Sequence, residues 1–160
     1  MKGYYNNPEA TAKVLSADGW LRTGDLGFLD EGGYLYISGR LKDIIILGGE
    51  NVLPADIEEV VDHVPGVRYS AAVGVDSERT GTQRLHVVAE VRSETAAEAE
   101  YRDLVREIVG RVHKSRGHRP ARVLLVRSNT IPKTSSGKIQ RSRLAQMIQA
   151  GELADRVVHT

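Results

Sequence analysis

Beyond residue 42 the apolar positions change period several times. Val67, Tyr69, Ala71, Val73 and Val75 recur at every second position, as do Leu85, Val87, Ala89 and Val91, and each series predicts a strand with one face on a core. Around residues 96–112, Tyr101, Leu104, Val105, Ile108, Val109 and Val112 follow the spacing that places one side of a helix against a core. Ahead of these, "DIIILGG" reads as a short buried strand. Pro54 then opens a helix with Ile57, Val60, Val61 and Val64 on one face, which Pro65-Gly66 stops. "ARVLLVRS" gives a further strand, and Leu144, Met147 and Ile148 mark a last helix ending near Gly151. The order βαββαβα predicts an α+β fold, a small two-layer domain with its sheet covered by helices.

The first 40 residues are turn-rich. Leu26 and Phe28, then Gly32-Gly33, then Tyr34 and Tyr36 read as two short strands around a glycine turn. An isolated hairpin is marginal in water, so this piece must lean on something larger. The expected organisation is a terminal β segment over 1–40, a hinge at 41–42 and a complete domain over 43–160.

Composition narrows the function classes. The 160 residues are 41% apolar, enough for a real core, and 22 basic residues against 21 acidic ones leave a net charge of +1. No overall field recruits nucleic acid or an anionic membrane. With no cysteine there is neither a disulfide framework nor a thiolate metal site, and His63, His86, His113, His118 and His159 do not have zinc spacing, so no metal is expected. The longest apolar runs are too short to span a bilayer and no signal peptide is apparent, which makes the cytoplasm the expected location.

Three stretches carry candidate chemistry. "IPKTSSGKIQR" has almost no side chain that could pack, so it gains little from ordering until a ligand arrives, and its Lys138 can serve as a point charge for a phosphate or carboxylate. It is not a Walker A loop: Pro132 stands where that motif has its first glycine and Ile139 where it has Ser or Thr. In "WLRTGDLG", Asp25 could accept two hydrogen bonds from the vicinal hydroxyls of a ribose. In "SGRLKDIIILGGEN", Arg40 and Lys42 adjoin the change of pattern where a hinge would lie, and Gly48-Gly49 lets a backbone approach a ligand closely. Taken singly, each has a plainer reading: a solvated basic loop, an aspartate fixing its own turn, a surface charge pair beside a turn.

In this order and spacing, "GYYNNPEAT", "WLRTGDLGFLDEGGYLYISGRLKDIIILGGENVLPADIEE" and "IPKTSSGKIQR" resemble the closing motifs of the adenylate-forming enzymes. That family includes acyl-CoA synthetases, fatty acyl-AMP ligases, luciferases and the adenylation domains of peptide synthetases. The likeness runs from Gly3 to about Leu144. It implies the last strands of an N-terminal adenylation domain joined to the mobile C-terminal domain.

Placed residue by residue, the resemblance makes Asp25 the holder of the ribose hydroxyls of ATP and of the adenylate. Arg40 becomes a second nucleotide contact and Lys42 the hinge. Gly49, with Gly48 beside it, would line the pantetheine tunnel. Lys138 would be the lysine of the first half-reaction, ahead of Lys133 on the loop's flank. The implied reaction activates a carboxylate with ATP to an acyl-adenylate, then passes the acyl group to a thiol. The implied cofactors are ATP/AMP, Mg2+ held mainly by the N-terminal domain, and CoA or phosphopantetheine. "GGENVLPADIE" is most similar to acyl-CoA synthetases, whereas "WLRTGDLGFL", "GRLKDIII" and "PKTSSGKIQR" are more similar to fatty acyl-AMP ligases that load an acyl carrier protein. Both acceptors stay open, with a fatty acid as the expected substrate. An amino- or aryl-acid adenylation domain is the alternative, as is a non-catalytic phosphate or nucleic-acid module built on "KIQRSR". The latter lacks the stacking aromatics such a module needs.

Overall fold

A computed structural model describes residues 1–77 and 81–160. The chain divides into two compact units, Met1–Lys42 and Asp43–Thr160.

The first unit begins with a short helix, α1 (Pro8–Val14), absent from the sequence reading. Its cause is local: Pro8 presets the first turn, and the Asn7 side chain accepts the Ala10 N–H at 2.9 Å. Seven residues are too few to show a period. Strands β1 (Asp25–Leu29) and β2 (Leu35–Arg40) then form the expected antiparallel hairpin. No residue of this unit is buried, and Tyr34, Leu35, Tyr36 and Ile37 are all exposed in succession. Since successive side chains of a strand point to opposite faces, the ribbon is apolar and bare on both.

The second unit opens with β3 (Ile45–Leu47) and β4 (Glu50–Val52), paired around Gly48-Gly49. Only β3 was legible, since "ENV" has no apolar alternation. Helix α2 (Pro54–Asp62) follows, then β5 (Val67–Ser77), β6 (Thr82–Val91), α3 (Glu98–Arg116), β7 (Arg122–Val126), α4 (Arg141–Ala150) and β8 (Val157–His159). Helix α3 outlasts its apolar stripe by a turn: His113, Lys114 and Arg116 suit the negative end of the helix dipole, and Gly117 closes it in the left-handed conformation at φ 74°.

The sheet order is β5-β6-β7-β8, with β6 and β7 parallel and the other pairs antiparallel. Both faces are buried. Ala72, Val87, Ala89, Val123 and Leu125 pack with Ile57 and Val61 of α2 and Ile108 and Val112 of α3. The alternate positions Ala71, Val73, Val88, Leu124 and Val126 pack with Leu144 of α4, Ile131 and Leu153. The α+β class and the helix-covered sheet are as read from the sequence, but the cover extends to both faces and makes a helix–sheet–helix stack rather than two layers. Small residues at positions 71 and 72 let helices approach β5 from either side.

Candidate functional site

The segment between β7 and α4 carries Lys138. Where the sequence predicts a loop gaining little from ordering, the structure has a closed turn. The Thr134 N–H donates to the Lys138 carbonyl at 2.8 Å, the Gly137 N–H to the Thr134 carbonyl at 2.9 Å, and the Lys138 N–H to Thr134 Oγ1 at 3.0 Å. Gly137 is at φ 82°, a conformation that a Cβ disfavours. Backbone hydrogen bonds supply the order that side-chain packing does not. The two lysines of the turn differ in use: Lys133 Nζ lies 3.5 Å over the Tyr69 ring, whereas the exposed Lys138 ammonium has no hydrogen bond or ion pair among the described residues. Burial, then the Glu58 and Asp62 carboxylates, push the Tyr69 hydroxyl above its ordinary value, so Lys133 lies over a neutral ring.

Each stem of this segment is tied down by a buried carboxylate that the sequence reading missed. On the entering side, Glu90 of β6 accepts the N–H groups of Thr130 at 3.0 Å and Ile131 at 3.1 Å, with Arg68 Nη1 at 3.2 Å. On the leaving side, Arg141 donates to Glu58 at 2.6 and 3.1 Å and to Asp43 at 3.3 Å. Burial works to depress the Arg141 guanidinium, but Glu58 and then Asp43 outweigh it and raise it above its ordinary value. For Glu90 a signal existed in the sequence, a charge set inside the apolar run Val87–Val91; Glu58, beside Glu59, had none.

Gly48 and Gly49 form the turn of the β3–β4 hairpin, at φ 60° and 92°, the paired positive values of a type I′ turn. A Cβ at either would meet nothing within 4 Å, so both face open space. The hairpin is latched to the start of β6. The Gly48 N–H donates to Thr82 Oγ1 at 3.1 Å, that hydroxyl donates to the Ile46 carbonyl at 2.9 Å, and the Ile46 N–H donates to Gln83 Oε1 at 2.9 Å. The Lys138 segment is latched to the other end of the same strand, through Glu90. From residue 82 to residue 90, β6 covers about 27 Å.

The first unit holds the other candidates. Asp25 and Arg40 are opposite one another in β1 and β2, and Arg40 Nε donates to Asp25 Oδ1 at 2.8 Å. The Asp25 N–H is held by Thr23 Oγ1 at 3.1 Å. The exposed Lys42 lies in the 3-10 turn Leu41–Asp43. Thus Asp25 and Arg40 are brought together, Gly48 and Gly49 share one turn, and Lys138 stands apart from that turn. No group of three or more His, Asp or Glu side chains among the described residues could hold a metal ion, and none of their helices is long and apolar enough to cross a membrane.

The family model for the C-terminal domain of AMP-binding enzymes matches residues 56–138. The chain belongs to this family. Sulfoacetate–CoA ligase of Cupriavidus necator is 40% identical over 144 residues, 90% of this chain and 27% of that protein. Long-chain-fatty-acid–CoA ligase FadD13 of Mycobacterium tuberculosis is 39% identical over 150 residues, 94% of this chain and 28% of that protein. Among solved structures, McyG A-PCP complexed with phenylalanyl-adenylate superposes with a TM-score of 0.82 at 35% identity, over 96% of this chain and 24% of that one. The chain therefore spans about a quarter of the length of the relatives it matches.

Proposed function

We propose that this chain is the C-terminal part of an ATP-dependent acid–thiol ligase. Residues 1–40 complete an N-terminal adenylation domain, 41–42 form the hinge and 43–160 the mobile domain. The enzyme forms an acyl-adenylate and hands the acyl group to CoA or to the phosphopantetheine of an acyl carrier protein. The bare two-faced ribbon of the first unit supports the first assignment, because a hairpin apolar on both sides belongs inside a larger domain.

One observation carries the reading: the segment of a lysine that has no hydrogen bond or ion pair among the described residues, and an open glycine turn, are latched to opposite ends of β6. Latch points at the two ends of one strand support a centre that meets the two in succession rather than together. Rotation about Lys42 would present each in turn.

In the first step the substrate carboxylate oxygen attacks the α-phosphorus of ATP and pyrophosphate leaves. Both reactants are anions, so charge gathers on oxygens that need a positive partner already in place. The uncommitted Lys138 ammonium supplies it. The second carboxylate oxygen of Asp25, the one not bonded to Arg40 Nε, accepts from the ribose hydroxyls, and Arg40 adds its own contact to the nucleotide. In the second step the Gly48-Gly49 turn admits the pantetheine arm, whose thiol displaces AMP.

Carboxylate-dependent ATP–pyrophosphate exchange by the full-length enzyme, wild type beside Lys138→Ala, tests the reading across fatty, aryl and amino acids. The expected result is fatty-acid-dependent exchange that the variant loses. Normal exchange by Lys138→Ala would sink the assignment of Lys138. Preference for an amino acid would move the enzyme to the adenylation domains of peptide synthetases, the direction in which the McyG likeness points.

A further inference from the structure

The ion cluster around Arg141 takes no part in the steps above. Arg141 is the first residue of α4, where the helix dipole disfavours a cation, yet its side chain is only 21% exposed. Glu58 and Asp43 hold it there, at 2.6 and 3.3 Å, and Glu58 also accepts the Ala72 N–H at 2.9 Å. One cluster therefore joins α2, β5, the N-terminus of α4 and residue 43. Arg141 follows Lys138 by three positions, and Gln140 between them ties the turn back on itself, through its N–H to the Pro132 carbonyl at 2.9 Å and its side-chain amide to the Lys133 carbonyl at 2.7 Å. Asp43 opens the second unit, directly after Lys42. A well-packed apolar trio would stabilise such a site at least as well as buried charges do. Directional hydrogen bonds give something else, a fixed geometry.

Building on the function proposed above, we propose that Arg141 is a positioning residue for adenylation. By clamping the leaving stem of the Lys138 turn to Glu58 and Asp43, it holds Lys138 at a set place relative to the residue beside the pivot. When the domain turns, hinge end and lysine move as one body. The clamp matters for the step that uses Lys138 and not for the step that uses Gly48-Gly49, which hang on Thr82 and Gln83 at the other end of β6.

The test compares Arg141→Lys, Arg141→Met and the charge-free combination Asp43→Asn/Glu58→Gln/Arg141→Met in the full-length enzyme. Two half-reactions are followed separately: ATP–pyrophosphate exchange, and thioester formation from pre-formed acyl-adenylate. Misplacing a catalytic group by a fraction of an ångström to an ångström costs about 10-fold to 10²-fold. Exchange turnover should fall by that factor in Arg141→Met, with KM for ATP and the rate of thioester formation little changed, and Arg141→Lys should lie between. The charge-free variant should recover thermal stability without recovering exchange. Recovery of exchange together with stability, or an equal fall in both half-reactions, would overturn the proposal. Loss of exchange in Lys138→Ala beside normal exchange in Arg141→Met would reject the clamp alone, whereas normal exchange in Lys138→Ala would reject the reading beneath it.

Discussion

Asp25 and Arg40 face one another across the β1–β2 hairpin, joined by a 2.8 Å hydrogen bond from Arg40 Nε to Asp25 Oδ1. The arginine occupies one carboxylate oxygen and leaves the lone pairs of the other to accept. That geometry suits a diol, whose hydroxyls donate, better than it suits an anion.

Asp25→Asn keeps the shape and removes the charge. Hydrogen bonds to charged groups contribute roughly 1.5–3 kcal/mol each, so kcat/KM for ATP should drop about 10-fold to 100-fold. The pair is half-exposed, and the melting temperature should barely move. Steady-state exchange kinetics beside a thermal scan measure both. A large loss of stability with unchanged ATP kinetics would make the aspartate a turn-fixing residue.

The two lysines of the Lys138 turn should separate cleanly. The Lys138 ammonium has no partner to lose among the described residues, so Lys138→Ala should leave stability unchanged and lower adenylation by about 10²-fold to 10³-fold, the usual cost of removing one preorganised donor. Lys133→Ala removes the contact over Tyr69, worth roughly 0.5–1 kcal/mol at a site this exposed, and should lower the melting temperature slightly with a much smaller effect on rate. Equal kinetic effects from the two substitutions would contradict the division of labour.

The period of the apolar residues was enough to read the helices α2, α3 and α4, the strands β5, β6 and β7, and the first hairpin. What escaped it were short elements with local or polar causes: α1, held by Asn7 and Pro8, β4 with its "ENV", and β8 with three residues. The candidate residues were legible as types in spaced motifs. Their supports were not, because Glu58, Glu90, Thr82 and Asp43 act on groups far along the chain: Glu58 meets Arg141 and Glu90 meets Thr130 only once the sheet has assembled. A periodicity argument sees which face a residue lies on, not which distant group it meets there.

At Gly49 the expected effect falls on one half-reaction. Its φ of 92° strains any L side chain, and the space around it is open, so Gly49→Val changes the turn and what can pass over it without disturbing the core. Adenylation should stay within about two-fold, while thioester formation from pre-formed adenylate should fall by about 10-fold or more, as displacement of a reacting arm predicts. Loss of both together would place the glycine turn in the fold and not in the second step.

Glu90→Ala tests the entering stem through stability. The carboxylate is 2% exposed, and its removal leaves the buried Thr130 and Ile131 N–H groups without an acceptor, each costing roughly 1–3 kcal/mol. A urea midpoint well below wild type is expected, with faster amide exchange at those two positions. Unchanged exchange there would mean that the stem does not depend on Glu90.

His86 should make the fold acid-sensitive from within. It lies in β6 opposite Arg122 of β7, and its Nδ1 is buried without a hydrogen-bond partner among the described residues. Burial first, then the charges of Arg122 and Arg84, hold the imidazole down to about 4, against about 6.5 for an ordinary histidine. Between those values the unfolded chain binds a proton that the native protein refuses, so this contribution to stability is intact above pH 6.5 and is lost as the pH falls toward 4. His86→Gln removes the titrating group. The difference in urea midpoint between wild type and variant should therefore shift in favour of the variant as the pH is lowered from 7 to 4.5, and a difference constant with pH would show that His86 is protonated as easily in the fold as outside it.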